Sequence, residues 1–204
     1  IIVVNNASTD RTAEIAARFG RVKVVTESEK GVTRARQRGV RESSGDIIAF
    51  IDADTKMPEG WVNKIIKDFE IDEKLVCLSG PYIFYDVSPL AKVCVWLYWN
   101  VFARLAYLFT GYMAVGGNLV IRREALEKIG GFDMSISFYG DDTDIARRLY
   151  KVGKVKFNQK FIMYASARRL KGEGFLLTAY RYVINFLSEV FTSKPFTSEY
   201  KDVR

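Results

Sequence analysis

The 204 residues, 49% apolar and 27% charged, suffice for one domain with a sizeable core and have an ordinary globular composition. The sequence contains no histidine, which excludes Ser-His-Asp and Cys-His nucleophilic catalysis, His-ligated zinc and imidazole acid–base chemistry. The net charge of +7 is uneven: residues 1–144 carry 18 basic and 20 acidic side chains, residues 145–204 carry 13 and 4, so the C-terminal part is expected to face something anionic.

Short β-branched runs alternate with amphipathic stretches, the pattern of an α/β domain with a largely parallel sheet. Ile1–Val4 reads as the middle of a buried strand without leader features, so a preceding segment is expected to be missing from this chain. Ser8 or Thr9 can cap a helix running to about Phe19, which Gly20 stops. A strand at Val22–Val25 and a basic helix from about Gly31 to Arg41 follow. Ile47–Ile51 is expected to be a central strand covered on both faces. Pro58 should open a helix at its first turn, with Trp61, Ile65, Ile66 and Phe69 on one face. Leu75–Leu78 and Tyr82–Tyr85 read as further strands.

Cys77 and Cys94 stand in apolar runs without a C-x-x-C, and are expected to be buried free thiols in a reducing compartment. Pro89 to Val115 is unusually aromatic, but its longest uncharged helical piece, Val93–Ala103, is too short to span a bilayer; it is a core helix or lies at a membrane interface. A second apolar helix, Phe175–Phe191, places Leu176, Tyr180, Val183, Leu187 and Val190 on one stripe and is interrupted by Arg181 and Glu189. The chain thus divides into a main domain, 1–170, and a basic amphipathic helix and tail, 171–204, packed on it or on a membrane surface.

No P-loop or G-x-G-x-x-G is present. The sharpest local signal is Asp52-Ala53-Asp54, directly after the strand Ile47–Ile51. Ligands of open α/β sheets sit at the carboxyl ends of strands, and two carboxylates there can hold a divalent cation while leaving sites for phosphate oxygens. A polar turn is the plain alternative. Asp141-Asp142-Thr143-Asp144 precedes the helical run Ile145–Val152; Asp144 can cap it, but three acids exceed what a cap needs. Their mutual repulsion would raise one pKa, which suits a general base. Asn5 to Asp10 form a turn into a helix start. Gly31 with Arg34, Arg36 and Arg38 could meet a phosphate or be a solvated face. Arg168-Arg169 lie in the basic part.

Taken in order, these elements resemble the inverting family 2 glycosyltransferases of the GT-A fold. The family's V-D-D-x-S-x-D-x-T is matched by Val4 to Thr12, and its G-x-x-x-A-R-N-x-G by Gly31 to Gly39, with Ala35, Arg36 and Gln37. The D-x-D follows as Asp52 and Asp54, then Gly116-Gly117 with Arg122-Arg123, then Gly130-Gly131-Phe132-Asp133 for G-G-F-D, and Asp141-Asp142 where Glu-Asp is usual. Three features depart from the pattern. The family's opening strand is absent, its acidic pair after strand two is Asn5-Asn6, and the Q-x-x-R-W of processive synthases is replaced by Ser166-Ala167-Arg168-Arg169.

The resemblance implies a GT-A, Rossmann-like, mixed and mainly parallel sheet flanked by helices, and a non-processive transferase using a UDP- or GDP-linked sugar. It places Asn5, Asn6, Ser8, Asp10, Gly31, Arg34, Arg36 and Asp52 at the nucleotide, and Mn²⁺ or Mg²⁺ on Asp54 with Asp52 assisting. Arg168 and Arg169 would meet the diphosphate, Gly116, Gly117 and Asn118 the sugar or acceptor, and Asp142, beside Asp141, would be the base. The acceptor it implies is a hydroxyl or a polyprenyl-phosphate-type group, with no nucleic acid as partner. The aromatic Pro89–Val115 stretch and the basic, apolar Phe175–Phe191 region suit peripheral contact with an anionic cytoplasmic membrane, or else pack as core or as a dimer interface. A sugar-nucleotide synthase and a non-catalytic basic binding module are the rival classes.

Overall fold

The structure, a computed structural model, describes residues 1–136 and 139–197. Strand β1 (Ile2–Asn6) pairs in parallel with β2 (Lys23–Glu27), Val3 opposite Val24, with α1 (Thr12–Ala17) between them; α2 (Val32–Glu42) packs back on this pair. The central sheet runs β3 (Ile47–Ile51), β7 (Asn118–Arg122), β5 (Leu75–Ser79), β8 (Lys154–Phe157). A third sheet orders β4 (Thr55–Lys56), β9 (Met163–Ala165), β6 (Tyr82–Phe84). The sheets are mixed: β1–β2, β5–β8 and β6–β9 are parallel, whereas β7 is antiparallel to both its neighbours and β4 to β9. Among the described residues parallel pairs therefore equal antiparallel ones in number.

The apolar run of β5 is buried at every position, as a strand covered on both faces requires. Its side chains divide between two clusters, and a register irregularity between Leu75 and Cys77 breaks strict alternation, so that Val76 and Cys77 share one side. Cys77 joins Leu119 and Ile121 of β7 against Leu126, Ile145 and Leu149 on one side. Leu75 and Leu78 join Val120 of β7 against Trp61, Ile65 and Phe69 on the other. The helices supplying these layers are α3 (Trp61–Ile71), α6 (Arg123–Lys128) and α7 (Asp141–Tyr150).

Several local expectations are corrected. Helix α1 ends at Ala17, and Asp10 rather than Ser8 or Thr9 holds its entry, accepting the Thr12 N–H at 3.0 Å. Helix α3 starts at Trp61; Pro58 lies in the preceding turn, where its carbonyl accepts the Trp61 N–H. Ile66 is exposed, because the i, i+4 spacing of Trp61, Ile65 and Phe69 fills the inward stripe and Ile66 sits a hundred-degree step off it. Asp144 is no cap: α7 begins at Asp141 behind Gly140, whose φ of +87° suits a residue without Cβ, and buried Asp144 pairs with Arg147 and Arg148. Cys77 is buried as expected but Cys94 is exposed, on a helix whose outer face is left open among the described residues.

That helix is continuous. α4 (Pro89–Leu97), a π-helical turn (Tyr98–Phe102) and α5 (Ala103–Thr110) form 22 residues, long and apolar enough to cross a membrane by length and composition alone. It extends beyond the uncharged piece Val93–Ala103 on both sides, because Lys92 and Arg104 do not interrupt it.

α8 (Arg168–Glu173) leads into α9 (Phe175–Thr192), which turns most of its apolar stripe outward and a polar face inward. Tyr180, Val183 and Leu187 are exposed while Thr178, Asn185 and Glu189 are buried; Val190 does reach the core, and the Leu176 side chain lies outside the described residues. Polar partners draw that face inward: Asn185 bonds the Arg181 carbonyl and Thr197, and Glu189 faces Arg147 of α7. The end of the expected tail, residues 198–204, also lies outside the described residues.

Candidate active site

Asp52 emerges at the end of β3, and both its oxygens are engaged. Oδ2 accepts the Tyr82 hydroxyl at 3.0 Å and Oδ1 meets the Arg36 guanidinium at 3.2 Å. The other nitrogen of Arg36, a side chain 10% exposed on α2, reaches Asp141 at the first turn of α7. One buried arginine thus ties the carboxylate after β3 to the carboxylate pair opening α7. Burial disfavours its charge, but Asp141 and Asp52 outweigh that and keep it cationic.

Burial pushes the Asp141 carboxyl up to about 7, with Arg36 pulling against it and the Asp142 and Asp52 charges adding to the rise. Asp142 is also raised, chiefly by burial; Arg36 and the backbone N–H groups of Thr143 and Gly116 oppose the shift. The Thr143 N–H donates to Asp142 at 2.9 Å. Tyr98, on the π-helical turn, is pushed up to about 12 by burial and then by the Asp142 charge. Tyr182 of α9 is raised by burial and feels both aspartates. Helices α4–α5 and α9 therefore each bring a tyrosine into the field of the pair.

The glycine doublet serves this cluster. A Cβ on Gly116 would lie 2.4 Å from an Arg36 nitrogen, and one on Gly117 would lie 2.0 Å from the Tyr82 oxygen and 2.3 Å from Asp52. The doublet thus lets Arg36, Tyr82 and Asp52 come close to its backbone. The sugar or acceptor contact expected of Asn118 does not fit its surroundings. Asn118 is fully buried, accepts the Trp61 indole N–H at 3.0 Å, and donates to the carbonyls of Gly80 and Phe161, so it is a strut between layers.

Asp54 stands apart from the Arg36 cluster and meets Arg168 at 3.2 Å, both side chains about half exposed. The loop before Arg168 is fixed by Asp86, which accepts from Ser166 Oγ at 3.0 Å, the Ala167 N–H at 2.7 Å and Lys171 at 3.1 Å. The Ala167 N–H is the chief reason why the Asp86 carboxyl sits at about 2. Arg169 turns instead to the buried carboxylate of Glu173, shared with Arg181.

At the end of β1, Asn6 is committed to the backbone: it accepts the Gly31 N–H at 2.8 Å and donates to the carbonyls of Glu27 and Glu29. Its expected contact with a nucleotide is replaced by this staple. Among the described residues, Asn5 Oδ1 is buried with no hydrogen-bond partner. Ser8 is half-buried, Asp10 holds the start of α1, and Arg34 pairs with Glu29 at 2.5 Å. Tyr82, Tyr98, Tyr182 and Asp86 escaped the sequence reading. Aromatic residues in apolar runs look like core, and a lone aspartate in a loop carries no spacing signal.

A cation at Asp54 would be held by hard oxygen donors, the chemistry preferred by Mg²⁺ and Mn²⁺. Among the described residues no three His, Cys, Asp or Glu side chains converge on one point, so phosphate oxygens of a ligand would have to complete its shell.

The profile of glycosyl transferase family 2 matches residues 1–130. The chain belongs to this family. A relative, the probable glycosyltransferase YdaM of Bacillus subtilis, is 30% identical over 174 residues, which cover 75% of this chain and 39% of YdaM. The poly-beta-1,6-N-acetyl-D-glucosamine synthase of Staphylococcus aureus is 30% identical over 98 residues, 46% of this chain and 24% of the synthase. Among solved structures, the mannosyltransferase PcManGT from Pyrobaculum calidifontis, in complex with GDP-Man and Mn²⁺, superposes with a TM-score of 0.69 at 19% identity, over 92% of this chain and 53% of that one. Glucosyl-3-phosphoglycerate synthase from Mycobacterium tuberculosis, in complex with Mn²⁺, UDP-glucose and phosphoglyceric acid, gives 0.57 at 18% identity, over 93% and 68%. These likenesses show the GT-A fold. This family 2 chain spans well under half the length of the curated relatives named here.

Proposed function

We propose that this chain carries the donor site and catalytic base of an inverting glycosyltransferase. It would move a sugar from a UDP- or GDP-linked donor to an acceptor hydroxyl or a lipid-linked phosphate. The observation that carries the reading is the Arg36 bridge, which sets Asp52 of the D-x-D and the Asp141–Asp142 pair on either side of one buried cation. Donor and acceptor chemistry are thereby held in one frame. The sugar-nucleotide complexes of PcManGT and the M. tuberculosis synthase support the donor class.

In this mechanism Asp142, in ionised form, takes the proton of the acceptor hydroxyl as its oxygen attacks the anomeric carbon. The bond between that carbon and the diphosphate oxygen breaks on the opposite face, and its electron pair leaves with the nucleoside diphosphate. A single displacement inverts the configuration. A phosphate acceptor is already ionised, and Asp142 then orients it. Arg168 leaves Asp54 to neutralise the departing diphosphate. Asp54 would hold a divalent cation, which supplies further positive charge to the same oxygens when bound. Asp52, with both oxygens engaged, serves to orient Arg36 and Tyr82. Asn5 would accept from the nucleotide base.

The test is calorimetric titration of UDP and GDP in the presence of Mn²⁺, beside Asp54→Ala. Metal-dependent binding lost in the variant is expected, with one nucleotide preferred. Equal binding by both proteins, or none with either nucleotide, overturns the assignment.

A further inference from the structure

We propose that the outer face of the α4–α5 helix docks the domain flat on an anionic lipid bilayer, a property that goes beyond the transferase reading. Along Pro89–Thr110, Leu90, Trp96, Phe102, Leu108 and Phe109 are between 60% and 91% exposed. Side chains of this size left in water on one helix mark a contact surface. The only charges on the helix are Lys92 and Arg104, both exposed, and it carries no acid.

The helix lies along the domain and does not cross a membrane. Val95 and Ala103 are buried, the Tyr107 hydroxyl donates to the Val155 carbonyl at 3.0 Å, and Gln159 donates to the Trp99 carbonyl at 2.9 Å. Crossing a bilayer would break these attachments, whereas lying at the interface keeps them and buries the opposite face among headgroups and upper acyl chains. α9 shares the anchorage: its Phe186 packs against the same cluster as Tyr98, Trp99 and Tyr107. It too turns apolar side chains outward and buries its carboxylate, Glu189.

Charge selects a bilayer over a protein partner. Lys92 and Arg104 stand among the exposed apolar residues, and a protein interface would bury them without counter-charge. A second copy of the chain, meeting this face with its own, would add like charges. At an anionic bilayer their stems lie along the apolar face and their heads reach lipid phosphates. Trp96 has the amphipathic ring favoured at that depth.

The experiment is sedimentation of the chain with vesicles of equimolar phosphatidylglycerol and phosphatidylcholine, and with phosphatidylcholine alone. Tryptophan quenching by brominated lipid is read in parallel for the chain and for Trp96→Phe. Expected is binding that needs the anionic lipid, weakens with salt, and quenches a signal absent from Trp96→Phe. Phe109→Ser should weaken partition ~10-fold and Lys92→Gln ~5-fold, with circular dichroism unchanged because both positions are exposed. No vesicle binding overturns the proposal, as does binding that leaves Trp96 unquenched. So does a concentration-dependent dimer that shields Trp96 without lipid, or shielding by chain beyond these residues in a longer form. Nucleotide titration of the same samples reports the donor site separately, so loss of one reading is distinguishable from loss of the other.

Discussion

Gly117→Ala tests the arrangement on which the proposed mechanism rests. The added methyl would stand 2.0 Å from the Tyr82 oxygen and 2.3 Å from an Asp52 oxygen, where ordinary contact begins at 3.4 Å. More than an ångström must be found in a hydrogen-bonded cluster. Neither neighbour can give freely: Tyr82 and Asp52 are bonded to each other at 3.0 Å, and Asp52 is held by Arg36 at 3.2 Å. Overpacking costs ~1–3 kcal/mol, and the strained or broken hydrogen bond adds ~1 kcal/mol. At ~2–4 °C per kcal/mol for a chain of this size, the melting temperature should fall by ~5–15 °C. Displacement of Asp52 should also weaken metal-dependent nucleotide binding at least ~10-fold, about 1.4 kcal/mol. Adding Tyr82→Phe removes the nearer atom but leaves Asp52 in the way, so the double variant should recover part of the loss, with a coupling of ~0.5–3 kcal/mol. Gly20→Ala is the control: nothing lies within 4 Å of its added Cβ, and the change should stay within ~1 kcal/mol. Differential scanning calorimetry and nucleotide titration measure both quantities. If Gly117→Ala melts within ~1 °C of the parent and binds nucleotide unchanged, the packing of Tyr82, Asp52 and the glycine doublet is refuted.

Arg36→Met should destabilise the chain by ~3–5 kcal/mol in urea unfolding at pH 8, because two carboxylates lose their shared cation. The loss should be smaller at pH 5, where Asp141, already raised to about 7, carries a proton instead. Asp142→Asn should lower kcat at least ~10²-fold while leaving nucleotide affinity unchanged, which rate assays and calorimetry on one preparation can compare. Glu189, fully buried, is pushed up to about 7 from the ordinary 4.5, first by burial and then by Asp144. The folded chain therefore keeps this proton while the unfolded chain releases it, and stability falls as pH rises from about 4.5 to about 7. Glu189→Gln should flatten that slope in melting curves across the window. A residual slope of the same sign should remain from Asp141.

Much of this was legible in one dimension. A five-residue apolar run such as Ile47–Ile51 marks a strand, and an acidic pair placed directly after it emerges at the strand's carboxyl end. The expected central position with both faces covered is overturned, because β3 lies at the edge of its sheet and buries only Ile48 and Phe50 while Ala49 and Ile51 face outward. The ordered recurrence of Asn5 to Thr12, Gly31 to Gly39, Asp52-Ala53-Asp54 and Gly130 to Asp133 carried the family, because spacing along the chain is preserved in a string of letters. The partners of side chains distant in sequence are not. Arg34 and Arg36 looked equivalent as phosphate contacts, yet the packing of α2 leaves one at the surface with Glu29 and buries the other between Asp52 and Asp141, 105 positions away. Asn118 follows two glycines, where the family resemblance implies the sugar or acceptor. It is instead buried by Trp61 and the carbonyls of Gly80 and Phe161 once β7 inserts antiparallel between β3 and β5. Periodicity marked α9 as two-faced without saying which face turns inward, since that depends on Arg147 and Thr197 waiting on other segments. Local pattern determined which elements form and where the acids emerge; burial, a property of the whole packed chain, decided which charges meet and which apolar face is left to water.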